Sequence, residues 1–439
     1  MKFGRSGRAL AVVVGAVLLA SACGGGKSDG GSGDAAVGVT ADTVKIGAHY
    51  PLTGVAAPGY SEIPTGAKAY FDYVNANGGV NGRKIEYVVK DDGYNPANTS
   101  QVVNQLVLQE KVFAVVGGLG TPTHSAVLDF LNSEGVPDLL VSSGSLLWDQ
   151  PKKNPETFGW QPDYEVESKI IGQYVAKNFP NAKVGLFVQD DDLGRDSELG
   201  ARRFIDKQIV SVAKYVPGNT DVGPQISQLQ ASGADLILGF NVPSYTALSQ
   251  LAAQKLNYKP KWFYANIGSD PELVGSLLSR FSKGAVSGAS PLQGILTTEY
   301  MPGTTDKDNA WTQLWQKVWK ASGQQGPLTN YRIYGMAQAY TFVQALQAAG
   351  KDLTRDGIVE ALEKQGGSFP GANFVPYRYS GSKHAGMGGA EVVELQADGG
   401  SKSLTPVLQT NNGDAPIVEY PGKPAAPPAN GIPEVKPTK

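Results

Sequence analysis

VFAVVGGLGTPTHSAVLDFLNSEGVPDLLVSSGS, running from Val112 to Ser145, is the stretch on which the fold of this sequence turns. Val112-Phe113-Ala114-Val115-Val116 is apolar and β-branched, too short for a helix and suited to a buried parallel strand. It runs into Gly117-Gly118-Leu119-Gly120-Thr121-Pro122-Thr123. A helix is expected over 124–133, where Ala126, Val127 and Phe130 share one apolar face, and Gly135 stands where such a helix ends. Residues 137–141 read as a second strand, ending in Ser142-Ser143-Gly144-Ser145. Two neighbouring parallel strands with Gly/Ser/Thr loops gather hydroxyls and free N–H groups at one carboxyl edge of a sheet. Open α/β sheets take their ligands at that edge, and such donors suit an anionic group, phosphate or carboxylate.

The same alternation extends upstream. Residues 44–52 form a strand candidate, 65–75 a helix with Ala67, Tyr70, Phe71 and Val74 at helical spacing, 84–90 a strand, and 96–110 a helix. Strict alternation of strand and helix predicts a parallel sheet covered on both faces. Downstream, Gly159-Trp160-Gln161-Pro162-Asp163-Tyr164 interrupts the series and reads as a crossing to a second lobe. Strands are expected there at 184–188, 210–216, 235–240, 262–265 and 285–290. Helices follow from about Asp196, at 222–230, up to Gln254 and from near Pro271. Further helices are expected at 306–322, 330–349 and 354–364, and returning strands at 391–396 and 404–409. The six prolines between Pro421 and Pro437 predict an extended tail with no packable pattern.

Lys2, Arg5 and Arg8 precede an apolar run from Ala9 to Ala20 and then Ser21-Ala22-Cys23, the pattern of a secretory signal too short to span a membrane. Cys23 is the only cysteine, and its place after small residues resembles the bacterial lipobox, with Ala20 where leucine is usual. The glycine-rich segment from Gly24 to Gly38 suits a tether. With Cys23 lipidated, neither a disulfide nor a cysteine metal cluster is available. His49, His124 and His384 are far apart in sequence, so a zinc site or a histidine triad has little support. The 38 basic residues against 40 acidic ones leave no basic field for nucleic acid. At 439 residues the chain is too long for one ordinary domain and suits two.

Five ordered pieces carry a resemblance: Ile46-Gly47 through Pro51-Leu52-Thr53-Gly54; Gly78-Gly79-Val80-Asn81-Gly82-Arg83-Lys84-Ile85; Asp91-Asp92-Gly93-Tyr94-Asn95-Pro96; Val116-Gly117-Gly118; and the run to Thr123. From about Val44 to at least Gly350 the sequence resembles the type I periplasmic substrate-binding proteins of ABC importers, in their leucine/isoleucine/valine-binding branch. The resemblance implies two Rossmann-like α/β lobes joined by a hinge of three crossings. Its expected division is signal 1–22, lipidated Cys23 and tether 23–42, lobe 1 over 43–160 and 297–378, lobe 2 over 161–296 and 379–420, and tail 421–439. It also implies a small carboxylate-bearing solute, ABC permease partners, a lipid-anchored extracytoplasmic location, no cofactor and no catalysis. A ligand-sensing receptor domain of the same fold is the alternative.

Within that resemblance, Leu119, Gly120 and Thr121 match one carboxylate-holding loop, and Ser143, Gly144 and Ser145 match the other. Tyr60, Trp148 and Trp160 lie beside the inferred cleft and are further contact candidates. Relatives carry aromatics where Leu193 and Asn241 stand, and an ammonium-binding glutamate near Asn266-Ile267, whereas here the first acid is Asp270. A buried ammonium without an opposite charge is costly, so the ligand's carboxylate is expected to be required and an α-amino group dispensable, with Asn241 and Asn266 setting selectivity. Asp190-Asp191-Asp192 reads as a turn capping the next helix, since consecutive residues rarely converge on one cation. Ser143 and Ser145 have no Gly-x-Ser-x-Gly elbow and no histidine placed to activate them.

Overall fold

The computed structural model describes residues 36–286 and 288–438. The chain begins with β1 (Thr43–Tyr50), a single turn α1 (Ala57–Tyr60), α2 (Ile63–Ala76), β2 (Lys84–Asp91) and α3 (Pro96–Asn104). It continues through β3 (Ala114–Val116), α4 (Thr121–Ser125), α5 (Leu128–Ser133), β4 (Asp138–Val141) and β5 (Thr157–Gly159). These strands pair in the order β2-β1-β3-β4-β5, all parallel. Their starts and stops follow local chemistry. Asn95 caps α3 by accepting from the Ala97 and Asn98 amides, with Pro96 at the first helical position, where its missing N–H costs nothing.

The helix expected over 124–133 is two helices. Gly120, at φ 104°, starts α4 three residues early, and the chain breaks at Ala126–Val127 before α5. The two pieces bury different faces: α4 turns Thr121, Thr123 and His124 inward, whereas α5 buries Leu128 and Leu131. The segment after α3 does not stay α-helical to Glu110 but widens into a π turn at Gln105–Gln109.

The second sheet holds β6 (Val184–Gln189), β7 (Ile209–Tyr215), β8 (Leu236–Phe240), β9 (Lys261–Tyr264), β10 (Leu296–Glu299), β11 (Gly389–Leu395), β12 (Ser401–Ser403), β13 (Leu408–Gln409) and β14 (Val418–Glu419). β7 to β10 run parallel in the order β7-β6-β8-β9-β10, and from β11 onward pairing is antiparallel. α6 (Tyr164–Asn178), α7 (Asp192–Ile205), α8 (Gly223–Ala231), α9 (Pro243–Lys255) and α10 (Pro271–Phe281) belong to this lobe. Asp191 caps α7 by accepting from the Leu193 amide, so the aspartate run acts as a helix start. Among the described residues of 285–290 no strand forms. Gly284 and Gly288 take positive φ there, which breaks extended pairing, and the strand comes at β10 instead.

Three passages of chain join the sheets: from β5 to α6, from β10 to α11 (Ala310–Ala321), and from the bridge between Tyr377 and Met387 to β11. α11 and α12 (Asn330–Ala349) pack on α2, and α13 (Arg355–Gln365) packs on α12. A Cβ at Gly66 would meet the Arg332 carbonyl oxygen at 2.1 Å, and one at Gly335 would meet that of Ile63 at 2.0 Å. The two glycines therefore let α2 and α12 touch backbone to backbone, which sets their first turns side by side.

The proline-rich tail is extended, but it packs. Tyr70 and Tyr73 donate to the carbonyls of Gly431 (2.9 Å) and Asn430 (2.6 Å), and the Trp311 indole donates to Ala425 at 2.8 Å. Gln347 donates to Pro433 and accepts from the Val435 amide, while Ile432 and Val435 rest on the core. Proline carbonyls and intervening amides suffice for this, so the absence of an amphipathic period did not preclude docking.

Candidate functional site

A cavity of about 140 Å³ lies where the carboxyl ends of the two sheets meet. Its first wall grows from the quoted stretch. Pairing of β3 and β4 continues past the strands as a parallel bridge from Leu119 to Ser142, so both loops leave the sheet together. Gly120 then turns the chain into α4, and Thr121 comes to the wall. Thr121 Oγ1 lies 2.8 Å from Ser143 Oγ and 3.2 Å from the Tyr164 hydroxyl, which is 3.4 Å from Ser143 Oγ. Burial pushes the Tyr164 phenol up to about 12, so it stays a neutral donor. Three linked hydroxyls with rotatable protons can turn donors toward one anionic group.

The opposite wall is acidic. Asp270 caps α10, with one oxygen accepting the Leu273 amide at 2.8 Å and the other accepting the Asn330 side chain at 2.7 Å across from α12. Burial raises its carboxyl above the ordinary range. Glu299 ends β10, where burial pushes it up to about 7, and Asp306 follows on the crossing. Among the described residues the wall includes no lysine and no arginine. Between the poles stand the rings of Tyr60, Tyr94, Tyr331 and Tyr334 from the first lobe and Tyr300 from the crossing after β10. Aromatic faces and unneutralised carboxylates both favour a cation.

Direct hydrogen bonds also cross the cleft. Tyr60 donates to the Ile267 carbonyl at 3.2 Å, Ser244 to that of Val55 at 2.7 Å, and Gln189 to the Tyr94 hydroxyl at 3.2 Å. The Asp196 carboxylate of α7 accepts from the Leu146 amide at 2.9 Å and from Ser145 Oγ at 3.2 Å.

Tyr60, Leu119, Gly120, Thr121, Leu193 and Asn266 line the cavity. The remaining residues singled out in the sequence stand elsewhere. Ser143 backs Thr121. Gly144 lies under the Tyr164 ring, which a Cβ would meet at 2.7 Å. Ser145 spends its hydroxyl on Asp196, and Trp148 is buried edge-on against His124. Trp160 stands behind Tyr334, centroids 4.5 Å apart. Asn241 is buried, its amide donating to Thr246 at 2.6 Å. Asn266 reaches the wall, but its amide donates to the Thr298 carbonyl at 2.6 Å and its N–H to Glu167. Sequence reasoning passed over Tyr94, Tyr164, Glu299, Asp306, Tyr331 and Tyr334 as contacts. Tyr164 falls in the stretch read as a crossing and Tyr94 in one of the pieces that carry the resemblance, and the other four carry no local signal. Cys23 lies outside the described residues.

Two α/β lobes thus enclose a cavity between the carboxyl edges of their sheets, the place where open α/β sheets take their ligands. The periplasmic binding protein family matches residues 43–400, and this chain belongs to that family. An amino acid binding protein of Pseudomonas aeruginosa is 26% identical over 205 residues, 44% of this chain and 52% of the relative. The chain thus spans about half the length of that curated relative. Among solved structures, a branched-chain amino acid ABC transporter protein of Thermus thermophilus with bound valine superposes with a TM-score of 0.72 at 20% identity, covering 85% of this chain and 98% of the other. A fatty acid ABC transporter substrate-binding protein of Thermomonospora curvata gives the same 0.72 at 21% identity, covering 87% and 97%. Valine and fatty acid on one fold mean that the fold does not select the ligand.

Proposed function

We propose that this protein is an extracytoplasmic solute-binding protein that captures a small amino-acid-like zwitterion and delivers it to an ABC permease. The observation that carries the ligand reading is the polarity of the cavity: linked hydroxyls at Thr121, Ser143 and Tyr164 on one side, and Asp270, Glu299 and Asp306, with no basic residue among those described, on the other. A carboxylate suits the first pole and an ammonium the second, with an apolar or aromatic side chain between the tyrosines. The acids supply the counter-charge that the sequence had not revealed, so the α-amino group is now expected to contribute. Relatives that bind amino acids, valine among them, support this reading.

Calorimetry on L-leucine, L-phenylalanine and their deaminated analogues tests it. The amino acids should bind and the analogues should lose at least tenfold. Equal binding of a deaminated analogue would return the site to simple carboxylate recognition.

Anchoring belongs to the same proposal. Cys23 after the apolar run supports lipid attachment, and no described helix is long and apolar enough to cross a membrane. Cys23→Ala should abolish incorporation of labelled palmitate; a variant that still labels would end the lipobox reading.

A further inference from the structure

Beneath the Gly117–Thr121 loop lie four ionisable groups that the cavity does not use. His49 Nδ1 is 2.8 Å from Asp92 Oδ2, His49 Nε2 is 2.9 Å from His124 Nδ1, and His124 Nε2 is 2.8 Å from Asp138 Oδ2. All four side chains are fully buried. The rings stack at 5.2 Å and sit against Gly118, where a Cβ would be 2.6 Å from both His49 Nε2 and His124 Nδ1. Backbone bonds tie the same residues to the loop: the Leu119 amide donates to the His49 carbonyl at 3.1 Å, and the His124 amide to that of Gly120 at 3.1 Å.

The geometry fixes a proton count. Each contact with a carboxylate needs a ring N–H, and the contact between the rings needs one proton and tolerates only one. With both carboxylates ionised, three protons are shared by two imidazoles: one ring is an imidazolium and the other is neutral. A fourth proton would set N–H against N–H at 2.9 Å.

We propose that the His49–His124 pair positions the anion-binding loop and makes it acid-sensitive, because protonating the neutral ring breaks the bond between the rings and frees Gly117–Thr121. The proposal rests on reading that loop as the ligand's carboxylate pole.

The groups facing the pair are few. Asp92 also accepts from Thr99 Oγ1 and the Tyr94 amide, and Asp138 from Thr157 Oγ1, while the Trp148 edge covers His124. On β2, Lys90 pairs in register with His49, but its ammonium reaches Glu110 at 3.2 Å. Burial holds the His49 imidazole below its ordinary 6.5. The intact pair carries three ring protons, whereas two separated imidazoles carry up to four below about pH 6.5 and only two above it, so the support is greatest near that pH and is lost as pH falls below it.

Hydrogen exchange of the ligand-free protein tests the support separately from the identity of the ligand. The amides of Gly117, Leu119, Gly120 and His124 are followed at pH 7.5, 6.5 and 5.5, with rates corrected for intrinsic chemistry. Wild type should be best protected near pH 6.5 and lose roughly threefold of that protection by pH 5.5. His49→Gln keeps an acceptor for the His124 ring but cannot be protonated, so its loop should stay protected. Undiminished wild-type protection at pH 5.5, or the same loss in His49→Gln, would overturn the proposal. If His49→Gln does not fold, ring nitrogen NMR of wild type decides. The proton between the rings should vanish in step with loop opening, and its persistence through opening would overturn the inference.

Discussion

Thr121 and Ser145 end neighbouring strand loops and look equivalent in the sequence, yet they have different partners. Thr121 reaches the cavity beside Ser143 and Tyr164, whereas Ser145 donates across the cleft to Asp196. Hydrogen bonds to a charged group contribute about 1.5–3 kcal/mol, so Thr121→Val should weaken ligand binding by roughly tenfold or more. Ser145→Ala removes one bond between the lobes and should cost no more than about threefold, equivalent to less than ~1 kcal/mol. Calorimetry with the best solute from a thermal-shift screen compares them, and equal losses would contradict this assignment. Gly118 is a packing limit of another kind. Gly118→Ala puts a methyl against both imidazoles, and overpacking of this sort costs about 1–3 kcal/mol, readable as a lowered urea midpoint.

Among the elements, α12 does two jobs. Its first turn brings Asn330, Tyr331 and Tyr334 to the cavity, and its last turn receives the tail. Gln347 makes two of the tail's hydrogen bonds, at 2.6 Å to Pro433 and 3.0 Å from Val435. Gln347→Ala should therefore destabilise the protein by about 1–2 kcal/mol in a denaturant titration, with ligand affinity unchanged. No measurable loss would mean that the tail adds nothing to the stability of the fold. α7 shows how local an element's start can be, since Asp191 alone accepts the Leu193 amide that opens it.

For the whole molecule, the question is what opposes closure. Asp196, Asp270 and Glu299 all lie at the cleft, and burial raises all three carboxyls, Asp196 to about 6 and Glu299 to about 7. In an open cleft they would titrate near 4. An acid with a raised pKa in the closed form favours that form at low pH, and the advantage disappears as pH rises through about 6 to 7. The ligand-free protein should thus show a smaller radius of gyration at pH 5.5 than at pH 8 in small-angle scattering. A zwitterionic ligand, whose ammonium meets the ionised acids, should close it at pH 8 as well. Glu299→Gln should flatten the pH dependence. A radius independent of pH between 5.5 and 8 would show that burial of these acids does not limit closure.

Order and type of the elements were legible in the sequence because they depend on neighbours within a few residues. Alternation of β-branched runs with amphipathic segments gave a parallel α/β fold, and the Gly/Ser/Thr loops marked the carboxyl edge that forms one wall of the cavity. The single helix expected over 124–133 failed at the break over Ala126–Val127, and the strand expected over 285–290 where the turns at Gly284 and Gly288 outweighed the apolar pattern. What only the tertiary structure decided is convergence. Asp270, Glu299 and Asp306 meet at one wall because α10, β10 and a lobe crossing end together. His49, Asp92, His124 and Asp138 form one chain because β1, β2, α4 and β4 pack within hydrogen-bond reach. Which hydroxyl faces the ligand is likewise set by a partner far along the chain, since the Asp196 that takes Ser145 lies 51 residues away. Side-chain roles of this kind follow from distances fixed by packing, and local periodicity carries no record of them.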